Sequence, residues 1–173
     1  MIDGTGCVYH SQHTGLHLHA LTEQATAMSN PDVELRCRSS FEKQQFMTTL
    51  GARLTVVRPG EVVIELPFSA RLTQQHGFLH AGAVTTIVDT ACGYAALTLM
   101  PEGAAVLSVE FKINLMKPAV GTTFRAAGKV LKSGKSLTVC SGIVEALAEN
   151  RWTTIAVMQA TMMAIMDRKG LKD

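Results

Sequence analysis

One carboxylate stands in the middle of the most apolar stretch of this chain. In "QQHGFLHAGAVTTIVDTACGYAA", residues 74–96, Asp89 is the single acid, with His76 and His80 upstream and Gly77, Gly82 and Gly93 spread among alanines, valines and threonines. A carboxylate in apolar surroundings has two uses. It can move a proton or attack an electrophile. It can also be a buried polar group satisfied by hydroxyls or backbone amides, and the residue types alone favour this use, with Thr85, Thr86 and Thr90 nearby. The residues after His80 open a helix. The backbone amides of Ala81 and Gly82 are therefore expected to lie free at its positive end, where they could polarise a carbonyl oxygen.

Other residues with chemical potential carry weaker signals. His10, His13, His17 and His19 have chelating HxxH and HxH spacings, yet they sit in a polar stretch without core periodicity. Residues 1–38 are therefore read as a flexible N-terminal extension, not a metal site, with order expected from about residue 39. "SGKS" at 133–136 resembles the end of a phosphate loop, but the glycine that such a loop needs would fall at position 129, which is Lys129. The segment reads as a hairpin turn, with Lys132 and Lys135 available to anionic groups. Cys7, Cys37, Cys92 and Cys140 form no C-x-x-C pair; their spacing fits reduced thiols in a cytoplasmic protein. Cys92, one helical turn from Asp89, is read as packing, and the methionines of "VMQATMMAIM" as core or interface.

The elements that must position Asp89 are legible in the pattern. "SSFEKQQFMTTLGA" gives a helix, with Ser39 and Glu42 as a capping box and Gly51 as its end. "ARLTVV" and "VVIELPF" flank Pro59-Gly60, a type II hairpin turn. Ala81 to about Leu99 is one long helix, apolar enough to be buried. Its central Asp89, its threonines and its amphipathic neighbours exclude a membrane span. In "VLSVEFKINLM", Leu107, Val109, Phe111, Ile113 and Leu115 alternate with Ser108, Glu110, Lys112 and Asn114, which predicts a strand with one buried face and Ser108 on the polar one. Three more strands follow, with turns at Ser133-Gly134 and Glu149-Asn150. The order of helix, two strands, long helix and four strands means α+β with an antiparallel sheet. A net charge of +2 without basic runs, and only 5% aromatics, exclude nucleic acid as a partner.

Gly77, His80, Gly82 and Asp89 have the spacing of a motif that resembles the helix start of hotdog-fold acyl-CoA thioesterases of the phenylacetate-pathway (PaaI) type. "SVEFKINLMKPA" is similar to the strand after the helix in that family, with Ser108 at a helper position. The resemblance covers about residues 40–166. Gln74 stands where the family has Asn, and Ala81 replaces the first glycine of a pair.

The resemblance implies a hotdog fold, a six-stranded antiparallel sheet wrapped round a long central helix, over residues 39–168. It implies an acyl-CoA substrate, with coenzyme A as part of that substrate and no other cofactor or metal. It also implies a homodimer or homotetramer, in which Asp89 of one subunit meets the helix start of the other. Asp89 would then be general base or nucleophile, Ala81 and Gly82 the oxyanion hole, Gln74 a positioning amide, His80 the residue that fixes the loop, and Ser108 the support of Asp89. Lys132 and Lys135 would meet the phosphates of coenzyme A. The alternatives are a hotdog hydratase or dehydratase, with His and acid moving protons, and a non-catalytic acyl-CoA-binding module.

Overall fold

The computed structural model describes residues 31–166. The His-rich stretch and Cys7 lie outside the described residues. Two short helices, α1 (Pro31–Glu42) and α2 (Gln45–Leu50), lead into a hairpin of β1 (Arg53–Arg58) and β2 (Glu61–Pro67). A 3-10 turn, Ala70–Leu72, precedes the long helix α3 (Ala81–Leu97). Then come β3 (Ala105–Leu115), β4 (Thr123–Ser133), β5 (Leu137–Ala148) and β6 (Arg151–Ile165). The six strands form one sheet in the order β1-β2-β4-β5-β6-β3, and every neighbouring pair is antiparallel.

Most of the turn chemistry acts as the sequence indicates. Gly60 closes the first hairpin at φ +74°, and Glu149 and Asn150 close β5–β6 at φ 49° and 57°. Both positions of that last turn need positive φ, which a two-residue hairpin favours.

The N-terminal helix differs from expectation. It begins at Pro31, eight residues before Ser39, so residues 31–38 belong to the folded domain and not to an extension. Ser39 and Ser40 lie inside α1 instead of capping it, and the chain breaks at Lys43–Gln44 before α2. Proline suits a helix start because its missing N–H is unused there. Long-range packing then holds the helix. Cys37 is fully buried, and Phe41 packs edge-on against Tyr94 of α3 at 5.8 Å. The Arg36 guanidinium donates to the carbonyls of Leu97, Met100 and Pro101, so a cation closes the C-terminal end of α3.

The sheet curls round α3, and Ile87, Val88, Ala91, Cys92, Ala95 and Leu97 are fully buried against it. The approach is so close at two places that only glycine fits. A Cβ on Gly128 of β4 would strike the Ala91 backbone, and one on Gly142 of β5 would strike the Val88 side chain. The helix is not apolar all round. Gly82, Thr86, Asp89, Thr90 and Gly93 recur three or four residues apart, and all but the last are only half-buried or exposed. This polar stripe lies over the first three turns, on the side nearest β3.

β3 is an edge strand, and much of its apolar surface is not covered within the chain. Leu107, Val109, Phe111 and Leu115 are each more than 40% exposed. The regular alternation is also broken. Ser108 pairs with Met162, Glu110 with Thr161 and Phe111 with Ala160, so Val109 is the extra residue of a β-bulge. Met162 and Ala160 both point into the core. Ser108 and Phe111 therefore share the helix-facing side although three residues separate them. Ser108 was expected on the polar, outward face, and the bulge turns it inward.

Candidate functional site

Three features converge at the start of α3. The loop before it is pinned by Gln74 N–H to the Phe78 carbonyl at 2.9 Å, Leu79 N–H to Ala119 at 3.1 Å and His80 N–H to Leu72 at 2.8 Å. Gln74 also accepts the His76 N–H on its side-chain oxygen, so His76 is a loop residue held through its backbone. His80 is the N-cap: its Nδ1 accepts the Gly82 N–H at 2.8 Å. A Cβ on Gly82 would come within 3.0 Å of that nitrogen, which explains the glycine at this position.

This corrects the expectation that two amides are free here. The Gly82 N–H is held by His80, and the Ala83 and Val84 amides donate to the His80 carbonyl. Among the described residues only the Ala81 N–H at this helix start is left without a partner. Ala81 lines a cavity of about 370 Å³ together with Gln74, Phe78, Val84, Leu115 and Lys117, among others.

Asp89 lies in a second recess, of about 200 Å³, with Gln44, Thr90, Gly93, Tyr94, Val106 and Ser108. The Ser108 hydroxyl donates to Asp89 Oδ1 at 2.8 Å. Thr85 and Thr86 do not serve the carboxylate, because they donate to the Ala81 and Gly82 carbonyls one turn back. Burial pushes the Asp89 carboxyl above the ordinary carboxylate range, and the Ser108 hydrogen bond offsets part of that rise. Gln44 donates to the Tyr94 hydroxyl at 3.1 Å, and that hydroxyl donates to Ser40 at 3.1 Å. Gln44, in the turn between α1 and α2, therefore forms one wall of the recess, and Ser40 of α1 holds Tyr94 behind it.

The structure thus brings Gln74 together with Ala81, pairs His80 with Gly82, and joins Asp89 to Ser108. It does not bring the first set to Asp89 within one chain. Eight residues of helix separate Ala81 from Asp89, roughly 12 Å at 1.5 Å per residue. Lys132 lies in the exposed last part of β4 and Lys135 sits in the turn after it; neither lines either cavity. Cys92 faces away from the recess, fully buried against β5, with its thiol pushed well above its ordinary value by burial. Burial also raises the Cys140 thiol, to about 11. Among the described residues there is no cluster of metal-binding side chains, and no helix is long and apolar enough to cross a membrane.

Gln44, Gly93, Tyr94 and Lys117 were not singled out from the sequence. Gly93 follows Asp89 by four residues, so helical periodicity could have placed it beside the carboxylate; Tyr94, five residues on, has no such signal. Gln44 arrives from another helix and has no such signal.

Comparison with known proteins agrees with this geometry. Residues 76–152, which include His80, Ala81, Asp89, Ser108 and the bulge, match the model of the thioesterase superfamily. A thioesterase family protein from Silicibacter pomeroyi is 47% identical, with TM-score 0.77, over 78% of this chain and 99% of that one. A Saccharolobus solfataricus protein that bears an esterase name is 31% identical over 57% of this chain and 71% of its own length. The fold is also that of the PaaI protein of the E. coli phenylacetic acid degradation operon, at 20% identity and TM-score 0.70 over 81% of this chain and 95% of that one. The match to the superfamily model and the identity to a solved relative over nearly its whole length show that this chain belongs to the thioesterase superfamily, as a hydrolase of the hotdog fold.

Proposed function

We propose that the protein hydrolyses acyl-CoA thioesters at a site built from two copies of the chain, with Asp89 as the carboxylate that activates or attacks. The observation that carries this reading is the position of the two half-sites along one free edge. The Asp89 recess lies at the Val106–Ser108 end of β3, and the Ala81 cavity lies at its Leu115 end. Both ends belong to a strand with one free edge and many exposed apolar side chains. Such an edge is a template for pairing with a second chain.

Antiparallel pairing of β3 with its twin, centred near Phe111, sets Ser108 of one chain opposite Asn114 of the other. Asp89 then approaches the Ala81 cavity across the twofold axis, and the 12 Å gap within one chain is closed between chains. The symmetry makes two equal sites. In each, the Ala81 N–H donates to the thioester carbonyl oxygen and stabilises the charge that develops there. Gln74 borders the same carbonyl position. Asp89 of the partner subunit takes a proton from water as the water oxygen bonds to the carbonyl carbon. In the nucleophilic version its carboxylate makes that bond itself, and water later cleaves the anhydride. The C–S bond breaks, the acid leaves, and the coenzyme thiolate takes up a proton.

The reading weighs against a hydratase. That chemistry needs a histidine and an acid at one carbon pair, and with Nδ1 of His80 held as a helix cap only its Nε2 is left for such a role. The test is release of free thiol from a panel of acyl-CoAs. Hydrolysis with kcat/KM of about 10⁴ M⁻¹s⁻¹ or above for at least one member is expected. Tight binding of the panel without thiol release would overturn the reading in favour of a binding module.

A further inference from the structure

Gly93 is a glycine that packing does not require. It lies inside α3 with ordinary helical φ, where glycine costs stability relative to alanine. Gly128 and Gly142 have backbone or side chain pressed against them, but a Cβ on Gly93 would meet only Val106 Cγ1, at 4.0 Å. The space that a side chain would take belongs to the Asp89 recess, one helical turn from the carboxylate. The opposite wall is equally specific. Gln44 occupies the N-cap position of α2 but makes no capping hydrogen bond; its amide donates to Tyr94 instead. Its side-chain oxygen has no partner among the described residues and belongs to a group lining the recess.

We propose that this recess is the acyl pocket, that the missing side chain at Gly93 sets its depth, and that Gln44, held by Tyr94, closes its far wall. The proposal rests on the acyl-CoA reading above and names the substrate class within it. Pantetheine and nucleotide are far too large for about 200 Å³, so the acyl group is the part of the substrate that fits. A cavity of about 150 Å³ holds a benzene ring. The pocket therefore takes acyl groups up to about the size of a six-membered ring, such as hexanoyl or benzoyl, and refuses long fatty chains. The unpaired Gln44 oxygen would favour a hydrogen-bond donor at the far end of the acyl group.

The test compares acetyl-, hexanoyl-, benzoyl- and decanoyl-CoA with the full-length protein, Gly93→Ala and Gln44→Ala. The unmodified protein should prefer hexanoyl- or benzoyl-CoA over decanoyl-CoA by at least tenfold in kcat/KM. Gly93→Ala should raise Tm by about 2–4 °C, as alanine replaces glycine in a helix. It should lower kcat/KM for benzoyl-CoA relative to acetyl-CoA by tenfold or more, since one methyl in a tight pocket discriminates on that scale. Gln44→Ala should shift the preference the other way, toward decanoyl-CoA. A well-folded Gly93→Ala variant with unchanged relative rates across the panel would overturn the pocket assignment. So would an unmodified protein that hydrolyses all four equally. If the unmodified protein hydrolyses none of them, the acyl-CoA reading itself fails, and the pocket assignment falls with it.

Discussion

The Ser108 hydroxyl meets Asp89 at 2.8 Å only because Val109 bulges out of β3. Without the extra residue, Ser108 would point to the outer face of the sheet and the carboxylate would have no donor from β3. The bulge thus couples an irregularity of an edge strand to the ionisation of a group on the central helix.

Ser108→Ala should move the pH profile. Burial raises the Asp89 carboxyl and the Ser108 bond lowers it, so loss of the bond raises it further. A base must be ionised to act, so activity is lost as pH falls through that value. The acid limb of kcat/KM should therefore shift to higher pH in the variant. The plateau should fall only about fivefold, because one net hydrogen bond is worth about 1 kcal/mol. A pH–rate profile that overlays that of the unmodified protein would separate Ser108 from the chemistry.

Ala81→Pro isolates the oxyanion donor. Ala81 is the first residue of α3, a position where proline is well tolerated, and His80 before it is already extended at φ −63°, ψ 138°. The substitution removes one N–H and little else. Melting temperature should hold, and kcat should fall by about 10²–10³-fold. Mixed refolding with Asp89→Asn should then restore part of the activity, because a mixed dimer holds one intact site. Two inactive variants that stay inactive when mixed would place each site within a single chain.

Arg36 should matter for stability and not for chemistry. Its guanidinium spans three carbonyls at and just beyond the end of α3, those of Leu97, Met100 and Pro101. Arg36→Ala should cost about 2 kcal/mol, or roughly 4–8 °C in Tm. Removal of residues 1–38 should cost more, since it also takes the buried Cys37. Thermal melts of the two variants check this; a truncated chain with unchanged Tm would show that α1 does not brace the long helix.

Much of the fold was readable from periodicity and turn residues. The strand alternation, the Pro59-Gly60 turn and the run from Ala81 give the architecture because each is a local pattern. The features that escaped are long-range. Residues 31–38 have little apolar periodicity, and α1 is held by Arg36 reaching the α3 carbonyls and by Cys37 entering the core. The bulge at Val109 leaves the alternation of the letters intact while reversing which face they occupy. Asp89, Gln74, His80, Ala81, Gly82 and Ser108 were all visible as candidates. The cap from His80 to Gly82 was not foreseen, and it reduces the free amides from two to one. Gln44 could not be seen at all, since only the fold carries it to Asp89.

The most direct test of the catalytic claim is Asp89→Asn, with kcat and Tm measured on one preparation at neutral pH. The folded carboxyl titrates above its ordinary value because burial disfavours the charge. Between the unfolded and folded values the native state therefore binds the proton more tightly, and stability falls as pH rises through that window. Above it the ionised group is a net cost to the fold. The amide keeps the acceptor for Ser108 and removes that cost. Tm should therefore hold or rise, while acyl-CoA hydrolysis falls by about 10²-fold or more. A variant whose Tm drops while its folded fraction turns over at the unmodified rate would contradict the catalytic role of Asp89 and leave it as a structural group.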